Sequence, residues 1–168
     1  MEKNGFEIER KFLIRYPDLD WLNSAAERTE IEQTYLIAER PEISERVRKR
    51  GLEGNFSYTH TRKEHITTIR RVEIEREIGE EEYGRLLLRA DPSRRTIQKT
   101  RYCLFENGTM YEIDVFPFCK DRAFLEVELS DEAQPIVWPE RLRLIREVTD
   151  DRRYSNYALS KMIPQEEI

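Results

Sequence analysis

Glu7, Glu9 and Lys11 stand at alternate positions in "FEIERKFLI", with Ile8, Arg10 and Phe12 between them. On a β-strand, alternate side chains share a face. Two carboxylates on one face suit a hard cation, and a neighbouring lysine suits an anion. The pattern recurs along the chain. Arg46, Arg48 and Arg50 form one row, Lys63 goes with Thr61, and Glu73, Glu75 and Glu77 form another row. Lys99 pairs with Arg101, Glu112 with Asp114, and Glu126 with Glu128. Acids and bases are segregated by strand, whereas a solubilising surface mixes signs. Like charges two apart on one face repel unless a ligand or metal offsets them. Mg²⁺ takes one or two carboxylates together with phosphate oxygens and water. Arginine holds phosphate by paired hydrogen bonds and lysine as a point charge. A short phosphate chain held between an acidic side and a basic side is the chemistry these residues suit.

The elements that must carry these rows read mainly as strands. "FEIERKFLIR", "EIEQTYLIAE", "EISERVRKRG", "NFSYTHTRKE", "TTIRRVEIEREIG", "RTIQKTRYCLFE", "TMYEIDVFPF" and "AFLEVELS" give eight. Their short connections imply antiparallel neighbours, and Asn107-Gly108 is a strong hairpin signal. The faces opposite the charges hold Ile8, Phe12, Val72, Ile74, Tyr102, Leu104, Ile113, Val115, Leu125 and Val127, which is a core-forming set. If eight strands close, the charged face becomes a lumen with room for one small ligand. Helices are expected in "DLDWLNSAAE", "EEEYGRLLLRA", "PERLRLIREV" after Pro139, and "SNYALSKMI". The expected fold class is α+β, mainly β: a closed eight-stranded antiparallel β-barrel flanked by a few helices.

The length of 168 residues predicts a single domain over 1–168. A net charge of −5 argues against a nucleic-acid partner. Cys103 and Cys119 lack CxxC spacing and are expected as reduced thiols. The N-terminus lacks a signal-peptide core and no apolar run is long enough to span a membrane, so a soluble cytoplasmic protein is expected. His60 and His65 match no zinc spacing and are expected at the surface, while Trp21 and Trp138 are expected to pack. An apolar outer face would suit a homodimer.

Taken together the motifs resemble the CYTH superfamily, the triphosphate tunnel metalloenzymes. "EIERK" is similar to its ExExK signature, "ERVRKRG" to RxRxxG, "THTRK" to TxK and "RVEIERE" to the ExE-type strand that follows. "QKTRY" resembles KxR, "YEIDVF" resembles ExDxF, "LEVEL" the late ExE, and "VTDDRRYSN" the C-terminal basic segment. The motifs occur in order through almost the whole chain. The resemblance implies a tunnel that binds a triphosphate through basic residues and one or two divalent metals, Mg²⁺ or Mn²⁺, through acidic ones. Carried over by position, Glu7, Glu9, Glu126 and Glu128 are the foremost metal ligands, followed by Glu75 and Asp114, with Glu73 and Glu112 behind them. Arg46, Arg48, Lys63, Lys99 and Arg101 would hold phosphates, with Arg50 at the mouth and Arg153 at the C-terminal basic position. Lys11 would orient hydrolysis beside the terminal phosphate, and Glu9 or Glu75 would accept a proton.

The expected function is metal-dependent hydrolysis of inorganic tripolyphosphate to pyrophosphate and phosphate. A thiamine triphosphatase, in which Trp21 stacks on the organic cation, is an alternative. A class IV adenylyl cyclase needs an adenine pocket that the sequence does not identify. A non-catalytic polyphosphate binder or sensor of nucleotide would keep the basic rows and could dispense with acids. Both ExE pairs are intact, which favours catalysis.

Overall fold

The computed structural model describes residues 8–66 and 71–164. It contains nine strands: β1 (Ile8–Arg15), β2 (Glu27–Tyr35), β3 (Ile43–Leu52), β4 (Asn55–His65), β5 (Arg71–Ile78), β6 (Ile97–Glu106), β7 (Thr109–Val115), β8 (Arg122–Leu129) and β9 (Leu144–Glu147). Three helices are α1 (Leu19–Ala25), α2 (Glu80–Leu87) and α3 (Asn156–Leu159). The mainly-β, antiparallel reading of the sequence holds. No helix among the described residues is long and apolar enough to cross a membrane.

The chain divides into two compact units. One holds residues 31–97 and 156–163, with strand order β5-β4-β3-β2. The other holds residues 8–30 and 98–155, with order β2-β6-β7-β8-β1-β9. Strand β2 contributes residues 31–35 to the first and 27–30 to the second.

In the second unit, one face of β1, β6, β7 and β8 forms the core. Phe12, Ile14, Tyr102, Leu104, Tyr111, Ile113, Leu125 and Val127 pack with Leu22 of α1 and Leu142. Trp21 and Trp138 pack against this cluster, and Trp138 meets Phe12 edge-on at 4.8 Å. Helix α1 starts where Asp18 caps the backbone N–H groups of Asp20 and Trp21. In the first unit a smaller cluster of Leu36, Val47 and Tyr83 packs α2 on the sheet.

Two features of backbone geometry fix the registers. Asn107 (φ 52°) and Gly108 (φ 75°) form the two-residue turn between β6 and β7, the hairpin its sequence signals. Gly51 near the end of β3 admits no side chain, because a Cβ there would sit 1.9 Å from the Asn55 carbonyl oxygen.

The helix expected in "PERLRLIREV" is absent. Its second half is strand β9, paired with β1 from Phe12↔Glu147 to Ile14↔Leu144. The free edge of β1 supplies backbone partners there, and Arg10 clamps Glu147 with two 2.7 Å hydrogen bonds. Tertiary pairing overrides the weak helical periodicity. His60 also departs from expectation: it is half-buried against Glu45 at 3.1 Å. Cys103 and Cys119 are thiols not joined in a disulfide.

Candidate active site

Strand alternation sends Glu9 and Lys11 to the face of β1 opposite its core residues. The antiparallel register then sets Glu9 across from Glu128 and Lys11 across from Glu126. Glu126 faces Glu112 on β7, and Asp114 faces Arg101 on β6. Lys99 lies two residues from Arg101 and shares its face. Five carboxylates and three cations therefore share one side of this unit. The sequence assigned them to that side, and the structure brings them together.

Arg101 is the hub of this cluster. Its Nη1 lies 2.5 Å from Glu112, its Nε 2.7 Å from Asp114 Oδ1, and its Nη2 2.9 Å from Asp114 Oδ2 and 3.3 Å from Glu126. Lys99 Nζ donates to Asp114 Oδ2 at 2.6 Å. Lys11 Nζ donates to the Tyr154 carbonyl at 2.7 Å and lies 3.5 Å from Glu126. The 3₁₀ turn Arg152–Tyr154 delivers that carbonyl, so the C-terminal segment aims the lysine. Lys99, Arg101, Asp114 and Glu126 are all buried, which makes these pairs stronger and any broken pair more costly than at a surface.

The protonation pattern follows from this crowding. Glu9 is exposed as a residue, while its carboxyl lies among the charges of Glu126, Glu112, Lys11 and Arg101. Burial first, then repulsion from Glu126 and Glu112, pushes Glu9 up to about 7 against the pull of Lys11 and Arg101. Burial also raises Glu112, although Arg101 opposes it. For Asp114, burial acts upward, but Lys99 and Arg101 overcome it and hold the carboxyl well below its ordinary range. Burial pushes Lys99 down to about 8 in spite of Asp114, with Arg101 adding repulsion. Arg101 is desolvated, yet its three carboxylates keep it firmly protonated.

The first unit carries Arg46, Arg48, Lys63, Glu73 and Glu75 among the predicted residues, and Arg153 belongs to the second. Arg46 and Arg48 on β3, Thr61 and Lys63 on β4, and Glu73 and Glu75 on β5 share a face through the registers Arg46↔Thr61↔Glu75 and Lys63↔Glu73. Thr61 Oγ1 donates to Glu75 at 2.7 Å, Arg46 lies 3.8 Å from Glu75, and Lys63 lies 3.3 Å from Glu73. Arg46 Nε is buried and has no hydrogen-bond partner among the described residues. Arg48 donates to Gln33, a residue outside every charged row. Arg153 forms a bidentate pair with Asp151, at 2.9 and 2.6 Å, and is mostly exposed. Glu7 lies outside the described residues.

Gln33, Tyr35 and the Tyr154 carbonyl are functional neighbours that the sequence does not announce. Gln33 and Tyr35 are neutral and sit two apart on β2, which is the only trace of them in the pattern.

The donor set fits a hard divalent cation. Glu9 opposite Glu128 is a like-charge cross-strand pair, which destabilises a sheet unless a cation offsets it, whereas Glu112 opposite Glu126 already shares Arg101. Among the described residues no three His, Cys, Asp or Glu side chains form a group that could hold a metal by themselves.

No family model matches the chain. An inorganic triphosphatase of Nitrosomonas europaea is 34% identical over 163 residues, covering 94% of this chain and 99% of the relative. The crystal structure of an inorganic triphosphatase superposes with a TM-score of 0.64 at 31% identity, covering 96% of this chain and 98% of that one. A protein from Pyrococcus horikoshii, 22% identical with a TM-score of 0.51 over 76% of this chain and 80% of its own, shares the fold alone.

Proposed function

The chain belongs to the CYTH superfamily, the triphosphate tunnel metalloenzymes, and on that premise we propose that it hydrolyses inorganic tripolyphosphate to pyrophosphate and phosphate with the help of Mg²⁺ or Mn²⁺. The observation that carries this reading is the excess of facing carboxylates beside Lys11 on one side of β1, β7 and β8. Such a face suits a divalent cation, and phosphate oxygens together with water can complete that cation's shell. The like-named enzyme activity of the similar proteins supports it.

Glu9, Glu126 and Glu128 would hold the metal, joined by Glu7 on the same sequence row. Glu75 and Asp114 complete the acidic set expected from the resemblance, although Glu75 already accepts from Thr61, and Asp114 from Lys99 and Arg101. When bound, the ion supplies charge neutralisation on phosphate and an activated water. Lys11, fixed by the Tyr154 carbonyl and Glu126, holds its ammonium toward the terminal phosphate and stabilises negative charge there. A carboxylate oxygen of Glu9 or Glu75 would take the proton of the attacking water. The water oxygen bonds to the terminal phosphorus, the anhydride P–O bond breaks, and its electron pair leaves with pyrophosphate.

Arg46, Arg48 and Lys63 would bind phosphate oxygens, and the unpaired Arg46 Nε is the donor most ready to do so. Lys99, Arg101 and Arg153 join them only as their carboxylate pairs open. The same reading carries a cytoplasmic setting and one functional domain over 1–168.

The test is phosphate release from tripolyphosphate, thiamine triphosphate, ATP and long-chain polyphosphate, each with Mg²⁺, Mn²⁺ or a chelator. Metal-dependent release from tripolyphosphate above the other three is expected. Tight tripolyphosphate binding without release in either metal would replace the hydrolase by a binder.

A further inference from the structure

Gln33 and Tyr35 belong to none of the charged rows, yet both are buried on β2. Gln33 Oε1 accepts from Arg48 Nε at 3.2 Å and from Arg48 Nη2 at 3.1 Å. Gln33 Nε2 donates to the Tyr35 hydroxyl at 2.9 Å. The same hydroxyl is within hydrogen-bonding reach of Arg46. Tyr35 is in turn braced edge-on by Tyr157 at 5.1 Å, and the Arg94 guanidinium covers the Tyr157 ring at 3.4 Å.

A fully buried amide must place both its donor and its acceptor. Gln33 places its acceptor on two nitrogens of one guanidinium, which fixes the plane of that fork. A fork fixed beforehand loses less freedom when it takes a phosphate. An uncharged acceptor also orients the arginine without adding a competing anion, unlike the carboxylates that grip Arg101.

We propose that Gln33 and Tyr35 are positioning residues that aim Arg48 and Arg46 at an anionic phosphate chain. The inference rests on the triphosphate reading above and assigns the neutral β2 pair a part in it. Both residues act through the arginines and touch no reacting atom, so they should govern substrate affinity more than the chemical step.

The test is Gln33→Leu, which keeps the volume and removes the acceptor, alongside Tyr35→Phe. Each is assayed for steady-state tripolyphosphate hydrolysis and for direct calorimetric binding of tripolyphosphate. Gln33→Leu should raise KM about tenfold or more, the worth of a hydrogen bond to a charged group. Its kcat should stay within about threefold, since uniform binding is lost and transition-state stabilisation is not. Tyr35→Phe should raise KM less, in the same direction. A folded Gln33→Leu with KM within about twofold of the parent overturns the proposal, as does a fall in kcat as large as that in kcat/KM. Should Gln33→Leu not fold, Tyr35→Phe decides by the same criteria. A parent protein that binds tripolyphosphate without hydrolysing it defeats the hydrolase reading alone, and the calorimetric arm still reads the positioning effect. A parent that binds no tripolyphosphate overturns both.

Discussion

Replacing Asp114 by asparagine should be among the most damaging single changes on the charged face, and the reason is arithmetic of charge rather than packing. Asp114 is 3% exposed and Lys99 is 2% exposed. One carboxylate serves two cations, with contacts of 2.6 Å to Lys99 and of 2.7 and 2.9 Å to Arg101. Arg101 keeps Glu112 and Glu126 in the variant, but Lys99 loses its nearest counter-charge. Removing one partner of a buried ion pair costs about 3–5 kcal/mol. For a chain of this size that is a fall in melting temperature of about 6–20 °C. Adding Lys99→Met to Asp114→Asn removes the stranded cation, so the double variant should recover a good part of the loss, with a coupling of about 1–3 kcal/mol. The assay is thermal and guanidinium unfolding at pH 7 for the parent, both single variants and the double. The pH dependence has a defined sign. The folded carboxyl is held below its unfolded value, so its contribution is fully present above about pH 4 and fades as pH falls toward the folded value. The gap between parent and Asp114→Asn should therefore narrow in acid. A variant that melts within about 2 °C of the parent at pH 7 would refute the charge argument.

Glu9→Gln should lower tripolyphosphate turnover by about a hundredfold or more, with melting temperature unchanged or raised, because it removes a proton acceptor and a repelled charge together; parental turnover at saturating Mg²⁺ would contradict this. Mg²⁺ affinity of the parent should weaken about tenfold per unit as pH drops below about 7, since the Glu9 proton must leave before the metal binds. Calorimetric titration between pH 6 and pH 8 checks it, and a flat Kd would count against it. Because the folded Glu9 carboxyl prefers its proton, metal-free stability should fall as pH rises from about 4.5 to about 7, which denaturant melts can follow. Gly51→Ala forces a Cβ to 1.9 Å from the Asn55 carbonyl and should destabilise the β3–β4 hairpin by about 1–3 kcal/mol, read as a lower unfolding midpoint.

The charged rows were legible because strands have a period of two, and a register slip would have scattered them over both faces. Glu9, Lys11, Glu126 and Asp114 share a side for that reason alone. The Asn107-Gly108 turn was equally legible, because positive φ at both positions selects those residues. Strand β9 was not, because "LIRE" becomes a strand only where β1 offers an open edge. The same limit applies to Gln33 and to the Tyr154 carbonyl. Neither carries a charge pattern, and a backbone oxygen 143 residues from its lysine leaves no mark in the sequence. His60 reads as surface in the sequence because nothing in its neighbourhood predicts that Glu45, diagonal to it on the adjacent strand β3, comes within 3.1 Å.

Acids and bases share a face here for a reason that precedes any ligand. A face of desolvated carboxylates alone would resist folding, so each unit compensates most of its own charge: Arg101 gathers three acids, Lys99 one, and Lys63 takes Glu73. Among the described residues the compensation is incomplete at Glu9 and at Arg46. Burial, with repulsion from Glu126 and Glu112, leaves Glu9 holding a proton to near neutrality against the pull of Lys11 and Arg101. Arg46 is left with a buried N–H that meets no acceptor. A hydrolase poised for a metal and a polyanion should carry defects of these two signs, because residual imbalance is the differential free energy a ligand can recover. A purely structural charge network would close both, as the Asp114 cluster has closed its own.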